Sequence, residues 1–151
     1  MEIRVDDPRR GPVAALLAEH LAEVSGVSPP ESTHALSVEG LCARGVTFWS
    51  ACEGGEVLGC AALSELDGGH AEVKSMRTAL GHLRRGVASA LLAHLLAEAR
   101  ARGYARVSLE TGAQEHFAPA RALYERFGFE RCGAFGKYRE DPNSVFMTMG
   151  L

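Results

Sequence analysis

Leu83-Arg84-Arg85-Gly86-Val87-Ala88-Ser89-Ala90-Leu91-Leu92 is the stretch on which the reading of this chain turns. It lies between a strand-like run, His70–Thr78, and a long amphipathic run ending near Arg102. A basic turn with a glycine therefore opens a helix shortly after a strand. Such a turn presents several backbone N–H groups without intrahelical partners at the positive end of a helix dipole. That arrangement suits phosphate or pyrophosphate.

On the C-terminal side, Val87, Leu91, Leu95 and Ala99 fall on one stripe, with Ala88, Leu92 and Leu96 beside it. The spacing predicts a helix from Arg84 to Arg102, closed by Gly103. Arg106–Glu110 alternates as a strand. Ala118–Arg126 is a second amphipathic helix with Pro119 in its first turn, ended by Gly128. Phe129–Ala134 and Val145–Met149 read as closing strands around a polar loop that holds Asp141-Pro142-Asn143.

On the N-terminal side, Val46–Glu53, Val57–Leu66 and His70–Thr78 form a meander, turned at Gly54-Gly55 and Asp67-Gly68-Gly69. Alternation in the third strand puts Glu72, Lys74, Met76 and Thr78 on one face, with Val73, Ser75 and Arg77 on the other. Further back, Glu2–Val5 reads as a strand. A helix is expected from Asp7-Pro8 to about Val24, weakened in its first turn by Gly11-Pro12. Ser28–Thr33, with two successive prolines, is a loop, and a short helix follows from about Ser37 to Ala43. The order β α α β β β α β α β β predicts one mixed α/β domain over residues 1–151, a single sheet with helices on its faces.

Composition narrows the function. The formal charge of −3 supplies no global positive field, so nucleic acid is not the expected partner. The longest apolar runs are too short to span a bilayer, and no signal-peptide pattern opens the chain. Cys42, Cys52, Cys60 and Cys132 show neither a CxxC pair nor metal-ligand spacing. Reduced thiols in a cytoplasmic protein without a metal are the simplest reading, with Cys60 a small core residue. Phe48 and Trp49 read as core.

Two motifs, in their element context, carry a family resemblance. Gly86-Val87-Ala88 follows the fourth strand, and Ala120-Arg121-Ala122-Leu123-Tyr124-Glu125-Arg126-Phe127-Gly128-Phe129 lies near the C-terminus. With this element order, the chain resembles a GNAT-superfamily N-acetyltransferase over nearly its whole length. Glu72–Thr78 and Ser144–Met147 resemble a group of small bacterial members whose acceptors are mostly unsettled. Two positions depart from the family pattern. Leu83 stands where Arg or Gln is usual, and Phe117 where Asn is frequent.

The resemblance implies a mostly antiparallel central sheet with helices on both faces, whose fourth and fifth strands splay apart. It implies an acetyl-CoA co-substrate and a primary amine acceptor on a small molecule or peptide. The turn Arg84–Ser89 would seat the pyrophosphate through N–H groups, with Arg84 and Arg85 supplying charge in place of Leu83. Backbone groups near Met76, Arg77 and Thr78 would meet the pantetheine arm and the thioester carbonyl. Glu110, Phe117 and Ala120 would flank the same arm. Tyr124 would protonate the departing thiolate; the alternative is a core tyrosine beside Leu123. Glu72 is the candidate general base, with Glu110, His34 and His116 as rivals. The bland reading of Glu72 is a strand carboxylate paired with Lys74. The Pro29–His34 loop and the Lys137–Ser144 loop would line the acceptor site, bringing Glu31, His34 and Tyr138. Family members are often dimers, which leaves a homodimer open.

Two other readings compete. One is a non-catalytic acyl-CoA-binding sensor or interaction module on the same fold. The other is a nucleotide-binding α/β domain, disfavoured by the lack of both G-x-G-x-x-G and a Gly-Lys-Ser/Thr ending.

Overall fold

The computed structural model describes residues 1–32 and 36–151. His34, an expected acceptor-side residue and rival base, lies outside the described residues. The strands are β1 (Glu2–Val5), β2 (Val46–Glu53), β3 (Glu56–Asp67), β4 (His70–Thr78), β5 (Arg106–Gly112), β6 (Glu130–Cys132) and β7 (Ser144–Gly150). The helices are α1 (Gly11–Val27), α2 (Val38–Leu41), α3 (Val87–Ala101) and α4 (Ala118–Arg126). One seven-stranded sheet runs in the order β1-β2-β3-β4-β5-β7-β6. Every neighbouring pair is antiparallel except β4 and β5.

The two faces of the sheet bury different helices, as alternation along its strands requires. Val13, Leu16 and Leu17 of α1 pack with Leu41, Phe48, Cys60 and Ala62 on one face. Leu91, Leu92, Leu95 and Leu96 of α3 and Leu123 and Tyr124 of α4 pack with Trp49, Ala61, Leu63 and Val73 on the other. Phe48, Trp49 and Cys60 are thus core, as expected.

α1 begins at Gly11, four residues beyond the expected start at Asp7. The two aspartates serve the preceding turn instead of capping a helix. Asp7 accepts from the Arg9 backbone N–H at 2.9 Å, and Asp6 accepts from the Arg10 guanidinium at 2.7 Å. Pro12 then occupies the first turn, where a missing N–H costs nothing. α3 also starts later than expected, at Val87, because Arg84 (φ 62°) and Gly86 (φ 80°) are left-handed.

The face assignment within β4 needs correction. Cys60 pairs with Arg77, but Ala62 pairs with Lys74, so β4 carries one extra residue against β3. The bulge centres on Ser75, whose φ is 53°. A bulge reverses the side-chain alternation beyond it. Met76 consequently packs with the α3–α4 core and not beside Glu72 and Lys74. Arg77 swings to the α1 face, where it is paired with Glu19 at 2.5 Å and with Glu23.

Candidate active site

β4 and β5 pair only over His70–Glu72 against Arg106–Ser108. Beyond that point the two strands run on without pairing, to Thr78 and Gly112. The expected splay is therefore present. It opens a chamber of about 130 Å³, lined by Glu72, Ser75, Met76, Glu110, Phe117, Ala120 and Tyr124 and bounded by His20 and Val24 of α1. The bulge at Ser75 is one cause of the separation, because it turns the end of β4 off its earlier course.

At the mouth of α3, Gly86 forms the N-cap without any side-chain cap. The N–H groups of the first turn, which includes Val87, Ala88 and Ser89, thus have no side-chain acceptor at the cap. This is the arrangement an anion can complete. Val87 is buried, which anchors the turn, while Leu83 is exposed. Arg85 is directed at the β2–β3 hairpin end, bonded to His82 at 2.7 Å and 3.8 Å from Glu53. Arg84 has no ion-pair partner among the described residues and is the basic side chain left to the turn.

Two carboxylates border the chamber, and their surroundings differ. Glu72 is buried and accepts from the Tyr138 hydroxyl at 2.5 Å, with the Lys74 ammonium at 3.4 Å. Lys74 also donates to the Tyr138 oxygen at 2.8 Å. The pairing of Glu72 with Lys74 is real, though the carboxylate is not exposed. Glu110 accepts from the Ser144 hydroxyl at 2.8 Å. Burial pushes its carboxyl up to about 7, against the lowering effects of Ser144 and Lys74. Tyr124 stands edge-on to Phe129 at 5.8 Å, and burial pushes its phenol up to about 12. At neutral pH it is a protonated donor.

A second cavity, about 950 Å³, adjoins the first and shares Glu72, Lys74 and Tyr138 with it. Glu31, Leu36, Glu65, Asp67, Arg139 and Asp141 are among its other walls. The two loops expected to form an acceptor site are joined by the Ser32 hydroxyl, which donates to Asp141 at 2.5 Å. Glu31 and Tyr138 both line this second cavity. His116 does not line either cavity; it bonds Glu23 of α1 at 2.7 Å. Arg77 is likewise turned away from the chamber toward α1, and Thr78 is half-buried at the end of β4.

Sequence reasoning missed four participants. Ser75 and His20 line the chamber, Ser144 holds Glu110, and Arg121 donates to the carbonyls of Gly112 and Gln114 at 2.7 and 2.9 Å, fixing the β5–α4 connection. Ser75, Ser144 and Arg121 each lie in a stretch that carried the family resemblance, whereas His20 had no signal. Among the described residues, no group of three or more His, Cys, Asp or Glu could hold a metal ion. No helix among them is long and apolar enough to cross a membrane.

Comparison with known proteins agrees with this geometry. The model of the acetyltransferase (GNAT) family matches residues 14–129. The chain is 55% identical over 151 residues, all of both chains, to the uncharacterised N-acetyltransferase YsnE of Bacillus subtilis (strain 168). It is 34% identical over 147 residues to the IAA acetyltransferase of Azospirillum brasilense, covering 97% of this chain and 95% of that one. Among solved structures, one described as an acyl-CoA N-acyltransferase from Klebsiella pneumoniae superposes with a TM-score of 0.81 at 30% identity, covering 99% of this chain and 97% of that chain. The splayed strands, the uncapped glycine turn and the family match converge: the chain belongs to the GNAT acetyltransferase family and is an acyl-CoA-dependent N-acetyltransferase.

Proposed function

We propose that the protein moves an acetyl group from acetyl-CoA to a primary amine of a small molecule or peptide, by direct attack of the amine. The observation that carries this reading is the meeting of a narrow chamber and a wide groove at Glu72, Lys74 and Tyr138. Two substrates can approach such a junction from opposite sides and react without a covalent enzyme intermediate. The residues fit the donor: uncapped N–H groups at Gly86–Ser89 for its pyrophosphate, and unpaired β4 backbone for its pantetheine arm.

When bound, acetyl-CoA supplies an electrophilic thioester carbonyl and a thiolate leaving group. Glu110 takes the proton from the amine as nitrogen bonds the carbonyl carbon. Tyr124 gives its proton to sulfur as the carbon–sulfur bond breaks. The proton gained by Glu110 offsets the one lost by Tyr124, and exchange with solvent resets both. Glu110 is favoured over Glu72 because its carboxyl titrates near 7, matched to abstraction at neutral pH. Glu72 is already engaged by Tyr138 and Lys74. It holds the acceptor-side loop against the junction.

The groove also bears on the acceptor. Glu31, Glu65, Asp67, Glu72, Glu140 and Asp141 outnumber Lys74, Lys137 and Arg139 along its walls. That excess favours amines with a further positive charge.

The test is a thermal-shift titration followed by an amine panel read by release of free CoA. Acetyl-CoA at roughly 100 times its dissociation constant adds about 2.7 kcal/mol of stability. Diamines and basic peptides are expected to turn over faster than neutral or acidic amines. No stabilisation by millimolar acetyl-CoA would sink the reading, and preference for acidic amines would sink its acceptor half.

A further inference from the structure

Ser75 combines two unfavourable features at one position. Its φ of 53° is left-handed, and only Ser75 and Arg84 adopt positive φ among the described non-glycine residues. Glycine or asparagine is the usual occupant of such a conformation. Its hydroxyl is also buried and has no hydrogen-bond partner among the described residues. The residue as a whole is 8% exposed. Among the described residues two other buried side-chain atoms are unsatisfied, Arg77 Nε and Gln114 Oε1, but both residues make bonds through their remaining polar atoms. The single polar atom of the Ser75 side chain makes none.

Strain and an unmade hydrogen bond persist together where function holds them. The bulge conformation is held from behind by the Cys60 thiol, which donates to the Ser75 carbonyl at 3.4 Å. Ser75 lines the 130 Å³ chamber along with Met76, Glu110 and Tyr124. Ser75 therefore lies in the wall of the compartment assigned above to the reacting thioester, and its buried hydroxyl has a donor to give and no acceptor among the described residues.

We propose that the Ser75 hydroxyl donates a hydrogen bond to the acyl carbonyl oxygen of the donor thioester. It adds a side-chain donor to those of the splayed backbone. The bond strengthens as negative charge develops on that oxygen during attack. The proposal rests on the acetyl-CoA reading above. It also accounts for a serine where glycine would relieve the backbone, because glycine has no hydroxyl.

The test compares wild type, Ser75→Ala and Ser75→Gly by calorimetric binding of acetyl-CoA and of CoA, and by the infrared carbonyl stretch of carbonyl-¹³C acetyl-CoA on the protein. Both variants are expected to weaken acetyl-CoA roughly 2- to 12-fold, the range for one hydrogen bond, while CoA affinity stays unchanged. The carbonyl stretch, displaced to lower wavenumber on wild type, moves back toward its solution position. Ser75→Gly carries the measurement if Ser75→Ala folds poorly, because glycine accepts the positive φ. An unchanged stretch and an unchanged ratio of the two affinities would overturn the role of Ser75 while leaving the acetyl-CoA reading intact. Failure of wild type to bind either compound would instead overturn the acetyl-CoA reading and this proposal with it.

Discussion

The cleft between β4 and β5 is walled by sheet and by helices packed on it, whereas the groove beside it is walled largely by the connections around Glu31 and from Gly136 to Asp141. In the cleft the groups that would hold the donor are mostly backbone: the bulge at Ser75, the unpaired ends of β4 and β5, and the uncapped turn at Gly86. In the groove they are side chains, held by Ser32 to Asp141 and by Tyr138 to Glu72. Backbone donors come with the fold and tolerate sequence change. Side-chain donors on loops can be exchanged without disturbing the core. On the proposed function, one half keeps a constant donor while the other is free to set the acceptor.

The largest expected effect lies in the cleft. Glu110→Gln should lower kcat by about 100-fold or more, as for loss of a general base. In wild type, kcat/KM should rise with pH through about 7, the value of the Glu110 carboxyl, and the variant should lose that limb. A retained limb with the same midpoint would move the base to another group. Glu72→Gln, measured in parallel, should retain the limb.

A packing change separates scaffold from loop. A Cβ on Gly59 would meet the Arg77 carbonyl oxygen at 2.7 Å and Val87 Cγ1 at 2.8 Å, beneath both the bulge and the α3 turn. Gly59→Ala should cost about 1–3 kcal/mol in a denaturant melt, by overpacking, and weaken acetyl-CoA binding as well. Gly136→Ala, with Leu66 Cδ2 at 3.8 Å as its nearest neighbour, meets only the cost of its positive φ of 58°. Its melt should fall by about 1–2 kcal/mol, with acetyl-CoA affinity unchanged. Equal losses of donor affinity would erase the distinction.

Tyr138→Phe removes one hydroxyl shared by Glu72 and Lys74. It should raise KM for the amine by roughly 5-fold, the scale of one hydrogen bond, and leave KM for acetyl-CoA unchanged. An effect on the donor alone would place Tyr138 in the wrong half.

The smallest effect concerns His20 at the chamber wall. Burial, helped by the Arg77 charge, pushes its imidazole down to about 4. Its folded value lies below its unfolded one, so the unfolded chain binds more protons between about 4 and 6.5. The contribution is fully present above that window and is lost as pH falls through it. Melting at pH 7 and pH 5 should therefore differ less in His20→Leu than in wild type. An identical difference would mean that another group controls the acid limb.

Much of the fold was legible because its signals are local. Turns at Gly54-Gly55 and Gly68-Gly69 delimit the meander, and the 3.6-residue spacing of Val87, Leu91 and Leu95 marks α3. The start of α1 was misplaced because Asp7 can cap a helix or close a turn, and its contact with Arg9 decides between them. The faces of β4 were misassigned beyond Lys74 because a bulge is a property of pairing between two strands. Strict alternation within one strand cannot reveal it. The same limit hid Ser75, while His20 and Arg121 act through contacts outside their own helices, which periodicity does not show.

By itself, the sequence determined the element order, the two motifs around Gly86 and Tyr124, and with them the family and its donor. These depend on neighbours within a helical turn or a hairpin, where spacing along the chain is spacing in space. Only the tertiary structure decided which carboxylate sits beside Ser144 and titrates near 7, which face of β4 carries Arg77, and how the groove meets the chamber. Those outcomes depend on burial and on contacts between residues far apart in sequence, such as Ser32 with Asp141 and Tyr138 with Glu72. Desolvation and register exist only once distant segments have packed.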